Sequence, residues 1–170
     1  MSDRQLKLIS WNINGCSSPI KRKKVITFLK NNYADIVFIQ ETHMRELEVG
    51  KFKVGWVGHL FHSSFSSKCN GVMILVHKNV SFILRKQSKD AEGRIICVEA
   101  VIEGVQLVLC NIYAPNKGDP IFFHEVNKIL GNTEGEIVLA GDFNEVMDPV
   151  LDRSVFRPPL MNKERQALQM

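Results

Sequence analysis

The sequence predicts a mixed α/β domain, and three features predict it: short apolar runs of strand character, two helical segments set among them, and one tight hairpin that adds antiparallel pairing. The first run, "LKLISWNI" at residues 6–13, is followed by "SSPIKRKKVITFLKNN". There Ser18 stands where an N-cap is wanted, Pro19 takes the first helical position, and Val25, Ile26, Phe28 and Leu29 form an apolar stripe. "DIVFIQE" at residues 35–41 completes a strand, helix, strand unit. Three more strands follow, "GVMILVH" at 71–77, "RIICVEAVI" at 94–102 and "VQLVLCNIYAP" at 105–115, the last two joined through Glu103 and Gly104. "DPIFFHEVNKILG" reads as the second helix, with Asp119 as cap, Pro120 at its first position, Phe122, Val126, Ile129 and Leu130 inward, and Gly131 as the stop. "EIVLAGD" is the closing strand. Residues 43–70, rich in Ser and His, and those from 148 onward read as loop, with a short helix at 162–169.

A chain of 170 residues suits one domain, and at this size about 70% of the unfolded surface is buried on folding. Its 45% hydrophobic and 24% charged residues exclude a disordered or low-complexity chain. The net charge of +4 and pI near 8.9 permit a polyanionic partner without requiring one. No window reaches the roughly 20 apolar residues of a membrane span, and the first ten residues lack the apolar stretch of a signal peptide, so an intracellular protein without a membrane partner is expected. Cys16, Cys69, Cys97 and Cys110 contain no C-x-x-C pair, and buried reduced thiols are expected.

Three strands end alike: "SWNIN" at Asn12 and Asn14, "IQET" at Gln40 and Glu41, "AGDFN" at Asp142 and Asn144. In α/β sheets ligands sit beyond the carboxyl ends of strands, where residues far apart in sequence become neighbours. Asp142 and Asn144, two apart, face one side of an extended segment while Phe143 turns back to apolar packing. Two hard carboxylates with amide oxygens suit Mg²⁺, or Mn²⁺, a cation that keeps several waters and binds through one or two carboxylates and a substrate phosphate. Taken singly, each Asp or Asn reads more readily as a turn former bonded to its own backbone. Only the recurrence at three strand ends favours a site.

With these residues in view, the chain resembles the endonuclease/exonuclease/phosphatase superfamily, most closely the endonuclease domain of non-LTR retrotransposons, related to apurinic-site repair endonucleases. The matching blocks are "SWNING", "FIQETH", "GVMILV", "NIYAPN", "LAGDFN" and "LDRS", in family order. The resemblance implies a four-layered α/β/β/α sandwich of two mixed sheets between helices, a divalent-metal site, and hydrolysis of DNA by water attacking phosphorus. It implies metal roles for Asn12 and Glu41, a phosphate contact for Tyr113, and for Asp142 the acid that orients or deprotonates the water. Asn144 falls on the amide that holds phosphate or water, and Arg153 on an arginine near the DNA; Asn116, in "NIYAPN", falls on the nucleic-acid side. The family pattern continues with further strands and an "S-D-H" block whose histidine assists the water. No histidine follows Asp142 in this sequence. The expectation is therefore one partial domain over residues 1–170, incomplete at its C-terminus, weak or inactive as a nuclease, with a sheet edge open to a protein partner.

"KRKK" at Lys21 to Lys24 puts positive charge in the first turn of the first helix, against the helix dipole, and DNA phosphate is one compensation for Lys21 and Arg22. His43, directly after "QET", can reach the mouth of the site; His59, His62, His77 and His124 read as loop or surface residues. Two other readings remain: a nucleic-acid- or protein-binding remnant without catalysis, and a phosphatase or phosphodiesterase for phosphoinositides or sphingolipids. Double-stranded DNA is the expected partner and the nucleus the expected location, both by resemblance.

Overall fold

The computed structural model describes residues 5–116 and 119–144. Arg153 and the helix expected at 162–169 lie outside these residues. In chain order the elements are β1 (Leu8–Asn12), α1 (Pro19–Asn31), β2 (Ile36–Gln40), a 3-10 helix (Glu46–Phe52), β3 (Val57–Ser63), β4 (Val72–His77), β5 (Phe82–Lys89), β6 (Ile95–Ile102), β7 (Val105–Tyr113), α2 (Pro120–Leu130) and β8 (Glu136–Asp142). All six expected strands and both helices are present. Ser18 does precede α1, with extended backbone, but its side chain makes no capping bond, whereas Asp119 accepts a hydrogen bond from the Ile121 amide at the start of α2.

β3 corrects the reading of residues 43–70 as loop, and β5 fills a stretch to which no element was assigned. β3 and β5 are edge strands, each paired on one side, and polar residues interrupt their patterns. His59 and His62 break the apolar run of β3, and "RKQS" leaves β5 almost wholly exposed. Edge strands need only one buried face and tolerate such residues, so they carry little apolar signal.

The strands form two four-stranded mixed sheets, ordered β1-β2-β4-β3 and β5-β6-β7-β8, rather than one. β1 and β2 are parallel, as are β7 and β8; the remaining pairs are antiparallel. Three apolar clusters define the layers. Val25 and Leu29 of α1, with Val49 and Phe52, cover the outer face of the first sheet. Ile36, Phe38, Ile74 and Val76 meet Ile96, Val98 and Leu109 between the sheets. Phe122, Phe123 and Val126 of α2 cover the outer face of the second. The result is the α/β/β/α sandwich that the resemblance implied. At one side of it the edge strands β1 and β8 lie against each other across the two sheets, and Ile137 and Leu139 of β8 remain partly exposed.

A polar pair crosses the largely apolar interior. Asn111, wholly buried on β7, donates through Nδ2 to the carbonyls of Ile39 (2.9 Å) and Met73 (2.8 Å) in the facing sheet, and its Oδ1 accepts from Gln40 Nε2 at 2.7 Å. Every polar atom of the Asn111 side chain is thereby satisfied, and the sheets are locked in one register just behind the strand ends.

The cysteines differ from the expectation of four buried thiols. Cys97 and Cys110 form a disulfide, Cys69 is exposed, and Cys16 alone is a buried free thiol. The hairpin explains the pairing: Cys97 and Cys110 are register partners on β6 and β7, each five residues from the turn-flanking pair Ile102 and Val105. Burial pushes the Cys16 thiol up to about 12, against the nearby Arg22 and Lys21, so it stays protonated.

Native protein treated with iodoacetamide at neutral pH is expected to be labelled at Cys69 and spared at Cys16, as mapped by peptide mass spectrometry. Asn111→Ala removes the acceptor of one Gln40 N–H, which keeps its bond to Ser10, and the donor to two buried carbonyls, and urea unfolding is expected to show a loss of about 2 kcal/mol or more. At β8, Gly141 has φ +150 and a Cβ there would press against the Ile112 carbonyl oxygen. Gly141→Ala is expected to lower the thermal midpoint and to speed amide exchange in β8 ahead of the other strands.

Candidate active site

The strand ends named in the sequence meet. Asn12 ends β1, Glu41 directly follows β2, Tyr113 ends β7 and Asp142 ends β8, with Tyr113 and Asp142 in register as parallel neighbours. Asn12 joins the two sheets: its Nδ2 donates to Glu41 Oε1 at 3.1 Å and to Asp142 Oδ2 at 2.7 Å, across 130 residues of sequence.

Both readings of the strand-end residues hold at once. Asn12 Oδ1 accepts the Asn14 amide at 3.0 Å, and Asp142 Oδ1 accepts the Asn144 amide at 3.0 Å, so each side chain makes an Asx turn with one atom. The other atom of each is left to face its counterpart. Turning the Asn12 amide over would set its oxygen against two carboxylates and lose the bond to Asn14, so its orientation is fixed by its neighbours.

The backbone here is unusual. Asn14, Glu41, His43 and Asn144 all have positive φ, between 44° and 52°. Such conformations persist in non-glycine residues only where surrounding contacts impose them. Those contacts are present: beyond β1 and β2 the pairing continues through Gly15 N to Glu41 O and Cys16 N to Thr42 O, while His43 N reaches Asn70 O. Because Asn144 lies past the end of β8 with φ 48°, it does not project beside Asp142 as an extended segment would have it. Its Nδ2 donates instead to the Ala114 carbonyl at 2.6 Å. Phe143 turns back against the α2 cluster, as expected.

Glu41 feels opposing influences. Burial pushes its carboxyl up, but hydrogen bonds from Asn12 and Tyr113 and the neighbouring His43 outweigh it and hold the group below the usual carboxylate range. His43 Nε2 lies 3.3 Å from Glu41 Oε2, which bears out its expected reach to the mouth of the site. Burial, then the Glu41 carboxylate, push Tyr113 up to about 12, against the opposing charge of Arg94. The Tyr113 hydroxyl also lies 3.4 Å from Asn116 Oδ1, but the carboxylate is the stronger acceptor.

Arg94 is the residue that sequence reasoning missed. Its guanidinium lies 5.5 Å from the Tyr113 ring centroid and Nη1 donates to the Tyr113 carbonyl at 3.3 Å. The signal was there: Ile95 pairs with Ile112, so the residue before β6 falls beside the end of β7. Lys21 and Arg22 serve the loop that follows β1. Lys21 Nζ donates to Asn14 O at 2.7 Å, and Arg22 Nη1 to the carbonyls of Cys16 and Ser17. These carbonyls, together with solvent, offset the charge crowded into the first turn of α1.

Chemically the cluster offers two carboxylates held close by one amide, a protonated phenol beside them, and a guanidinium behind the phenol. Among the described residues no three His, Cys, Asp or Glu gather into a metal site, so a cation held here would take its protein ligands from Glu41 and Asp142 and fill its remaining positions with water. That donor set, hard oxygens with open positions, fits Mg²⁺ or Mn²⁺.

Comparison with known proteins agrees with this fold. The chain is 25% identical over 154 residues to the Xenopus laevis "Transposon TX1 uncharacterized 149 kDa protein", covering 88% of this chain and 12% of that one. It is 27% identical over 118 residues to an exodeoxyribonuclease of Bacillus subtilis, covering 65% and 43%. Among solved structures, an AP endonuclease from Archaeoglobus fulgidus superposes with a TM-score of 0.62 at 26% identity, over 86% of this chain and 60% of that one. D. rerio TDP2, solved with a single-strand DNA product, superposes at 0.64 with 18% identity over 83% and 61%, a likeness of fold. The chain thus spans less than half the length of these curated relatives. The profile of the Endonuclease/Exonuclease/phosphatase family matches residues 9–161, a stretch that includes every strand end described above, and the chain belongs to that family.

Proposed function

We propose that the chain is a divalent-metal-dependent phosphodiester hydrolase of the DNA endonuclease type, acting on double-stranded DNA at the cluster of Asn12, Glu41, Tyr113, Asp142 and Asn144. The observation that carries this reading is the Asn12 amide shared between Glu41 and Asp142, at 3.1 Å and 2.7 Å. Carboxylates brought together from distant parts of the chain serve a cation better than they serve stability, since like charges repel.

Glu41 would be the principal ligand for Mg²⁺ or Mn²⁺, with Asn12 and Asp142 beside it. A cation bound there would supply charge neutralisation at the phosphate and support for the leaving oxygen. Glu41 stays ionised because its neighbours favour the anion. Asn12, in the orientation found, sets the two carboxylates in place, and would ligate through oxygen only by giving up its bond to Asn14. Tyr113 stays protonated and donates to a phosphate oxygen, with Arg94 strengthening the local positive field. Asp142, whose Oδ1 is already tied to the Asn144 amide, takes or orients the water proton through Oδ2. Asn144 and Asn116 are assigned to phosphate and Arg153, Lys21 and Arg22 to the flanking DNA, the last two also bracing the loop that holds Asn14.

Two further points belong to this reading. The nucleus is the compartment in which such an enzyme meets its substrate. The exposed Ile137 and Leu139 on β8 suit a polypeptide that covers the edge.

The 170 residues contain no histidine after Asp142, so when they are assayed alone Asp142 activates water without that help, at a rate reduced by about 10²- to 10⁴-fold. A second reading is a remnant that binds nucleic acid without cutting it. Nicking of supercoiled plasmid with Mg²⁺ separates the two. Slow, metal-dependent nicking that Glu41→Gln and Asp142→Ala each reduce by about 10²-fold or more supports the enzyme. Binding without nicking supports the remnant. Phosphate release from a phosphoinositide, with plasmid left intact, would replace both with a lipid phosphatase.

A further inference from the structure

At the opposite end of the first sheet, past the start of β2 and the end of β4, lies a cavity of about 320 Å³ lined by Lys30, Tyr33, Asp35, Trp56, His77 and Asn79. Small-molecule sites begin at about this size. The five residues of β2 separate it from Glu41, about 17 Å at ~3.3 Å per residue, so it is no part of the active-site cluster.

Tyr33 is the first indication of a role. α1 closes with Ala34 N bonded to Leu29 O (3.2 Å) and Tyr33 N to Lys30 O (3.0 Å), which leaves Tyr33 at φ 53°. Glycine ordinarily fills that position, because a side chain there is strained. Tyr33 is 83% exposed, so no packing within the described fold repays the strain. An exposed aromatic kept at a glycine position points to a ligand.

Trp56 is the second. It is 5% exposed, and its buried Nε1–H has no hydrogen-bond partner among the described residues. Its ring stacks on His77, with centroids 5.8 Å apart and planes 25° from parallel. His77 Nδ1 accepts the Asn79 amide at 3.0 Å, so in the neutral ring the proton sits on Nε2, a donor. Lys30 adds an exposed ammonium in the last turn of α1, while Asp35 Oδ2 is tied to the Lys7 amide at 2.9 Å.

Aromatic rings, the His77 N–H donor and one cation around a cavity of this size match a planar heterocycle that carries an anionic group. We infer that this cavity binds a purine nucleotide unit, its base stacked on Tyr33 and its phosphate paired with Lys30, supplied either as a free nucleotide or as one unit of a single strand. The inference stands apart from the nuclease reading, and Tyr33→Gly is expected to leave plasmid nicking unchanged.

The test is NMR titration of the full ¹⁵N-labelled chain with adenosine 5′-monophosphate, adenosine, and a short oligodeoxyadenylate. The chain has two tryptophans, so Trp11→Phe assigns the Trp56 indole signal. That signal is expected to move with the nucleotide. Tyr33→Gly, which relieves the backbone strain and keeps the fold, is expected to weaken binding about tenfold or more. Lys30→Met is expected to erase the preference for the monophosphate over adenosine. A much tighter oligodeoxyadenylate assigns the ligand to a strand, and equal affinity assigns it to the free nucleotide. A Trp56 signal that stays still at millimolar concentrations of the monophosphate and of the oligodeoxyadenylate overturns the inference, as does binding indifferent to Tyr33→Gly.

Discussion

One amide holds the active end of the molecule together. Asn12 Nδ2 donates to carboxylates from both sheets, and its oxygen is fixed by the Asn14 amide, so all of its side-chain polar atoms are engaged. Without that donor Glu41 and Asp142 would face each other as unscreened like charges in a half-buried setting, and the strand ends would part. A few residues behind, Asn111 does the same for the interior, joining β7 to the carbonyls of β2 and β4. Between the sheets, among the described residues, this polar seam and the Ser63–Asp90 contact at the far edge interrupt the apolar packing, and the seam leads to the site.

This arrangement explains why strained backbone gathers where it does. Glu41 and His43 leave β2 in the left-handed region because the pairing of the β1 and β2 extensions and the contact with Asn70 require it. The strain is held by backbone bonds on both sides and keeps the Glu41 carboxylate in place before any ligand arrives.

Much of this was legible in the sequence, for identifiable reasons. β2, β4, β6 and β7 are buried on one or both faces, so "IVFIQ", "VMILVH", "IICVEAVI" and "VQLVLCNIY" read as apolar runs. β3 and β5 lie at edges, where His59, His62 and Arg85 are tolerated, and no such run survives. The convergence of Glu41 with Asp142 followed from strand-end placement. The left-handed turn at Glu41 did not, since tertiary bonds rather than residue type impose it. The Asn111 seam had left a trace, a lone amide inside "VLCNIY", and the hairpin register already contained both the Cys97–Cys110 disulfide and the place of Arg94 beside Tyr113.

The claim on which the account turns is that oxygens of Glu41 and Asp142 serve one cation. Anomalous diffraction from crystals soaked in Mn²⁺ tests it without reference to any reaction. The account predicts one strong peak within ligand distance of a Glu41 carboxylate oxygen, on the side facing Asp142, and loss of that peak in Glu41→Gln. A peak elsewhere, or none at this cluster in crystals that bind Mn²⁺ at other positions, would contradict it.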